Sequence, residues 1–210
     1  MFFLNMKYTT ALVIIFITFL SPTAFAQEQH STLEYGAKFG LSISELKGTE
    51  NLKSLRSTFT AGLISEYSFS EKYALQLELL YSRQGSTNRG NEQGSYFEDS
   101  VNLNYFNLPI LGKYYINKGL AFELGPQFGY LINANYENKQ AENSNKINVD
   151  DDFETLDMSI SAGVSYKTDW GFFVGARYSL GLNNINDGFN FESGNLNNAV
   201  FQLYFGYLIK

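Results

Sequence analysis

From residue 34 onward, apolar and small-or-polar residues alternate in runs of about ten, and each run ends in a polar break. A period of two sends successive side chains to opposite faces of a pleated strand. In 34–43, Tyr35, Ala37, Phe39, Leu41 and Ile43 take one face and Gly36, Lys38, Gly40 and Ser42 the other. In 58–69, Phe59, Ala61, Leu63, Tyr67 and Phe69 oppose Thr60, Gly62, Glu66 and Ser68. In 73–84 the alternation is cleanest: Tyr73, Leu75, Leu77, Leu79 and Tyr81 against Ala74, Gln76, Glu78, Ser82 and Gln84. The pattern returns in 120–132, 155–167, 170–181 and 198–209. One segment, 102–116, is apolar on both faces around Phe106-Asn107-Leu108-Pro109-Ile110, so its facing is open. Pro109 removes a ladder donor there and marks a bulge or an edge.

The breaks alternate in length. Ser70-Glu71-Lys72, Asn117-Lys118-Gly119 and Thr168-Asp169 are tight, whereas 44–57, 85–101, 133–154 and 182–197 are long and polar. Eight segments joined in this way predict an antiparallel up-and-down barrel. In a transmembrane barrel the tight turns are periplasmic and the long loops external.

The two faces decide which solvent surrounds the barrel. A soluble barrel points its large apolar residues inward. Here the smaller face carries Gly36, Gly40, Gly62, Gly125, Gly129, Gly163, Gly171, Gly175, Gly181 and Gly206, together with Lys38, Glu66, Glu78, Glu123, Asp157 and Arg177. Small residues with charges of both signs fit the narrow interior of eight strands. Large Leu, Phe, Tyr and Trp on the other face suit lipid, where a closed barrel leaves no backbone group unpaired. Aromatics gather at segment ends: Tyr35, Phe69, Tyr73, Tyr115, Tyr166, Trp170 and Tyr207 toward the tight turns, Phe59, Tyr81, Tyr130 and Tyr178 toward the loops. This pattern predicts two interfacial girdles.

The first 26 residues read as an address. Lys7 precedes the apolar run 11–20, Pro22 breaks the run, and Ala24-Phe25-Ala26 forms a cleavage site before Gln27. The run is short for a membrane-spanning helix. The expected organisation is therefore a cleaved signal peptide, 1–26, and a single outer-membrane barrel domain, 27–210.

Composition narrows the chemistry. Charged residues make up 17% of the 210, below the quarter or so usual in soluble domains, and aromatics make up 17%. The mean hydropathy of -0.19 excludes a bundle of membrane helices. With no cysteine, the chain has no disulfide, thiolate metal site or cysteine nucleophile. A net charge of -6 argues against nucleic acid as a partner. Barrel enzymes that modify lipid typically use a Ser–His pair at the outer rim. The sole histidine, His30, precedes the first strand, so no such enzyme is expected.

Two clusters could carry chemistry. Lys38, Glu66, Glu78, Glu123 and Arg177 all face inward and could form an ion path or a salt-bridged plug. The plug is favoured because buried charges must be paired and eight strands leave little room. Asp150-Asp151-Asp152 with Glu154 could attract Ca²⁺, but the spacing is not that of an ordered calcium loop. A solvated acidic loop is expected instead. No catalytic residue, cofactor or metal is expected.

The stretches Tyr35-Gly36-Ala37-Lys38-Phe39-Gly40-Leu41-Ser42, Leu75-Gln76-Leu77-Glu78-Leu79-Leu80-Tyr81-Ser82-Arg83-Gln84-Gly85, Tyr105-Phe106-Asn107-Leu108-Pro109-Ile110-Leu111-Gly112-Lys113-Tyr114-Tyr115 and Ala176-Arg177-Tyr178-Ser179-Leu180-Gly181-Leu182-Asn183-Asn184-Ile185 resemble the PorT-like outer-membrane β-barrel family of Bacteroidota. The resemblance extends over nearly all of 27–210 and implies the small-barrel fold. It implies no particular activity, because most members of that family have none assigned. The chain ends Tyr207-Leu208-Ile209-Lys210, where many barrels end in an aromatic residue.

Together these features predict a monomer in the outer membrane with both termini periplasmic and a structural or surface-interaction role through its external loops. Its partners would be membrane lipid and, through the loops, envelope or extracellular proteins. Two alternatives are a secretion or assembly accessory of the PorT type, which would copurify with partner proteins, and a narrow channel dependent on Glu78 or Arg177.

Overall fold

The computed structural model describes residues 31–48, 55–92, 95–140, 143–188 and 195–210. The expected signal peptide and His30 lie outside the described residues. Among the described residues nine strands form one closed antiparallel sheet: β1 (Thr32–Lys47), β2 (Arg56–Ser68), β3 (Tyr73–Glu92), β4 (Ser95–Tyr115), β5 (Leu120–Gln140), β6 (Asn143–Asn148), β7 (Leu156–Lys167), β8 (Phe172–Gly181) and β9 (Asn197–Ile209). The ring runs β1-β2-β3-β4-β5-β7-β8-β9 and closes through β1 on β9, as in Phe39 opposite Phe205. Nine strands are described where the sequence predicts eight. The added strand, β6, folds back on the last six residues of β5 and pairs, among the described residues, with β5 alone.

Alternation sets the facing. On β1, β2 and β3 the even residues are inward; on β7 and β8 the odd ones are. β4, whose facing the sequence left open, turns Tyr105, Leu111, Lys113 and Tyr115 inward and exposes Phe106, Leu108 and Tyr114. Pro109 interrupts the β3–β4 ladder, which runs to Leu77 opposite Ile110 and resumes at Leu80 opposite Asn107 in the same register. The bulge itself lies higher, where Asn104 pairs with Asn133 and Tyr105 with Leu131, so that Ile132 has no partner on β4. One extra residue reverses the facing of a strand. Leu131 and Ala134 therefore both point inward.

Exposed large residues form a belt around the ring, from Tyr35, Tyr73, Trp170 and Tyr207 at the tight-turn end to Phe59, Phe106, Tyr130 and Tyr178 at the loop end. Aromatic rings touch across strands at both levels: Tyr73 and Tyr114 at 5.4 Å, Phe59 and Tyr81 at 6.1 Å. Tyr115, expected in the girdle, is instead buried inside, and Tyr114 takes the outer position.

The tight turns are closed by their own polar residues. Ser70 Oγ accepts from the Tyr73 amide at 3.2 Å, Asn117 Oδ1 from the Leu120 amide at 2.8 Å, and Gly171 adopts φ 96°, which a side chain would resist. Two of the long polar breaks are in good part strand: β3 and β4 continue as a paired hairpin to Glu92 and Ser95, and β5 with β6 forms a second. Pairing within polar hairpins needs no apolar face, so hydropathy did not mark it.

Candidate functional site

Side chains from five strands meet in the middle of the ring. Arg177 on β8 is fully buried and grips two carboxylates: its Nε donates to Glu123 Oε1 at 2.7 Å, and its Nη1 and Nη2 donate to the two oxygens of Glu78 at 2.8 and 2.7 Å. A planar guanidinium fits this two-pronged geometry, and a lysine would not. Lys38 on β1 donates to Glu78 Oε2 at 3.1 Å and lies 3.7 Å from the centre of the Tyr204 ring. The Tyr204 hydroxyl donates to Glu123 Oε1 at 2.8 Å. Glycines on β7 and β8 make the room. A Cβ at Gly175 would stand 2.4 Å from the Tyr204 hydroxyl oxygen, and one at Gly163 would stand 2.7 Å from Glu123 Oε1.

A second cluster lies toward the tight turns. Glu66 accepts from Lys113 at 2.7 Å, Lys167 at 2.7 Å and the Tyr115 hydroxyl at 2.6 Å; Lys167 also pairs with Glu34. Gln76 links the layers, accepting from Lys113 at 3.1 Å and donating to Glu78. Of the five residues anticipated from the sequence, the structure brings Lys38, Glu78, Glu123 and Arg177 into one cluster and places Glu66 in the other. Glu34, Lys113 and Lys167 were missed. Glu34 and Lys167 are the end residues of the segments 34–43 and 155–167, one inward step beyond Gly36 and Ser165, so carrying the parity to the segment ends finds them. Lys113 was hidden by the two-faced apolarity of β4.

These clusters are balanced, with four cations (Lys38, Lys113, Lys167, Arg177) against four carboxylates (Glu34, Glu66, Glu78, Glu123). Ions withdrawn from water cost several kcal/mol each unless paired and hydrogen-bonded, and this set meets that condition closely.

Toward the loops the interior turns apolar. Leu46, Val101, Leu103, Tyr105, Leu131 and Ala134 from the strands pack with Val149, Phe153, Ile185 and Leu196 from the connections. Asp150 anchors this cap. It sits in a 3₁₀ turn over Asp150–Asp152, and its carboxylate accepts from the Ala134 amide and from Asn148 Nδ2. The Asp152 carbonyl accepts from the Asp187 amide at 2.9 Å. The acidic run, expected as a solvated loop, thus in part holds the cap onto β5. Among the described residues no group of three or more His, Cys, Asp or Glu could hold a metal ion.

Beyond the cap, the β3–β6 extension is polar. Glu98 accepts from Arg89 at 2.7 Å and Lys139 at 3.3 Å. Slight burial opposes its ionisation, but these two hydrogen bonds outweigh that and hold its carboxyl below the ordinary range.

Residues 25–187 match the family model described as outer membrane protein beta-barrel domain. None of the curated proteins matches the chain. Similar solved structures include Ail, the attachment invasion locus protein of Yersinia pestis, in complex with the heparin analogue sucrose octasulfate (15% identity, 84% of this chain and 99% of that one, TM-score 0.48). They also include Neisserial surface protein A (10%, 85% and 99%, TM-score 0.46) and OprG from Pseudomonas aeruginosa (11%, 86% and 98%, TM-score 0.45).

Proposed function

We propose, from the premise that this chain belongs to the outer membrane protein beta-barrel domain family, that it is a closed, non-conducting and non-enzymatic barrel acting at the cell surface through its outer rim. The observation that carries this reading is the filled interior. Two ion-paired layers and an apolar cap stand one above another along the axis, and eight strands enclose little more than their own side chains. The buried charges serve in this reading as a structural plug that ties β1, β3, β5 and β8 together, not as an ion path.

The finer features follow from the same reading. Residues 27–210 form one domain, a regular eight-strand transmembrane ring with β6 as an external flap, released from a cleaved leader and monomeric in the membrane. The start of β1 and the end of β9 lie at the tight-turn end, since Thr32 pairs with Ser68 and Tyr35 with Ile209, and a periplasmic turn end puts both on that side. The polar extension of β3–β6 then stands outside the cell as the surface available to envelope or extracellular partners. The resemblance to PorT-like barrels supports the fold and adds no role in secretion.

Planar-bilayer recording of the purified protein tests the central point. The expected trace is indistinguishable from the bare bilayer at physiological salt. Resolved single-channel steps that change in a Glu78→Gln variant would instead make the charge cluster an ion path.

A further inference from the structure

We infer that a cleft between two tight turns at the rim of the barrel binds the phosphoethanolamine head group of a phospholipid in the adjoining leaflet. The inference rests on the proposed orientation, which sets the tight turns at the periplasmic leaflet, and is independent of any partner of the loops. The cleft, of about 260 Å³, opens between Lys118 and Gly119 of the β4–β5 turn and Thr168, Asp169 and Trp170 of the β7–β8 turn, with Tyr166 on its wall.

β5 and β7 are neighbours in the ring, so their ends carry these two turns side by side. A backbone bond fixes the spacing: the Lys167 amide donates to the Gly119 carbonyl at 2.9 Å. Each turn is closed by the residue that precedes its tip. Asn117 Oδ1 accepts from the Gly119 and Leu120 amides, and the Thr168 hydroxyl donates to the Phe172 carbonyl at 3.0 Å. The tips are left over. Lys118 and Asp169 are both exposed, and neither side chain has a hydrogen bond or ion pair among the described residues. The third charge at the cleft, Lys167, turns its ammonium inward to Glu34 and Glu66. The cleft thus offers one unpaired ammonium and one unpaired carboxylate.

Aromatic rings put the cleft at the level of the lipid head groups. Tyr166 and Trp170 are 51% and 62% exposed and belong to the belt at the tight-turn end, where amphipathic rings mark the boundary of membrane and water. The indole is held by stacking on Phe172 at 5.3 Å and by Tyr207 at 6.0 Å. A zwitterion matches this lining. Its phosphate accepts from the Lys118 ammonium, and its own primary ammonium donates to the Asp169 carboxylate next to two aromatic rings. A phosphoglycerol head group has no ammonium and sets its anion against Asp169. A phosphocholine head group has no N–H to donate.

Trp170 is the only tryptophan of the chain, so its fluorescence reports on the cleft. The test titrates the full protein, refolded into detergent micelles, with short-chain phosphatidylethanolamine, phosphatidylcholine or phosphatidylglycerol of equal acyl length. Phosphatidylethanolamine should give a saturable change whose midpoint lies about threefold below that of the other two, the size of one exposed ion pair. Lys118→Gln should raise the midpoint for all three lipids, and Asp169→Asn should remove the preference for phosphatidylethanolamine over phosphatidylcholine. Equal midpoints for the three lipids, or a preference that Asp169→Asn retains, would overturn the inference. Micelles have no sides, so that failure leaves the proposed orientation standing. Orientation is read separately in cells. The chain has no cysteine, and a Lys118→Cys variant should react with a polyethylene-glycol-linked maleimide only after the outer membrane is permeabilised. Reaction on intact cells would overturn the orientation and, with it, the leaflet assigned to the head group.

Discussion

The turn-end half and the loop-end half of the interior are closed by opposite chemistry. Toward the turns, long charged side chains reach across the axis from β1, β2, β3, β4, β5, β7 and β8, and each ion is held by residues far apart in sequence. Toward the loops, Phe153, Ile185 and Leu196 descend from the connections onto apolar strand residues. The first closure is directional and is shared among ring strands, so it fixes how the strands stand against one another. The second is non-directional and depends on segments that can leave without opening the ring. A barrel built this way should lose everything when the lower layer is broken and only its lid when the upper layer is.

The largest effect is expected at Arg177. Arg177→Met leaves Glu78 with Lys38 and the Gln76 amide and Glu123 with only the Tyr204 hydroxyl, inside a dry interior. Stripping one partner from a buried ion cluster costs roughly 4 kcal/mol. Urea unfolding in micelles should show that loss as one cooperative transition at lower denaturant. Adding Glu123→Gln to Arg177→Met should recover part of it, because the penalty comes from the orphaned carboxylate. If the double variant is no more stable than the single one, the arginine acts through packing and not through charge.

The cap should respond differently. Phe153→Ala removes a buried ring and should cost about 3 kcal/mol if the site cannot collapse. The loss should be local. The Val149 amide, which donates to the Ala134 carbonyl at 3.1 Å, should exchange its hydrogen far faster, while amides of the belt, such as that of Phe205, keep their protection. Loss of protection throughout the ring would erase the distinction between the two halves.

The lower layer was also the more legible half. Its residues lie on strands whose alternation is regular, so Lys38, Glu66, Glu78, Glu123 and Arg177 could be turned inward by parity alone. The upper half resisted for physical reasons. Phe153, Ile185 and Leu196 are isolated apolar residues in polar connections, where no period assigns a face. The bulge at Ile132 reverses the facing of β5 without any glycine or proline to announce it. Residues 85–101 read as loop because they are mostly polar and carry no apolar face, yet they pair in continuous register from Gly85 opposite Asn102 to Glu92 opposite Ser95. The ninth strand was missed in the same way.

That extension supplies the smallest expected effect. Glu98 joins Arg89 on β3 to Lys139 on β5 across three strands beyond the belt, where water screens the charges. Because its folded-state pKa is depressed, the ionised carboxylate favours the paired extension at neutral pH. That contribution fades as the pH falls from the ordinary glutamate value near about 4.3 through the folded value. A carbon-13 titration of the Glu98 carboxyl should give a midpoint below the ordinary value, and Arg89→Ala should move it upward. The Arg177 cluster, sealed from water below the cap, should not take part: urea unfolding should show the same loss for Arg177→Met whether or not Arg89 is replaced. Coupling between those two variants would mean that the extension and the ring are one cooperative unit.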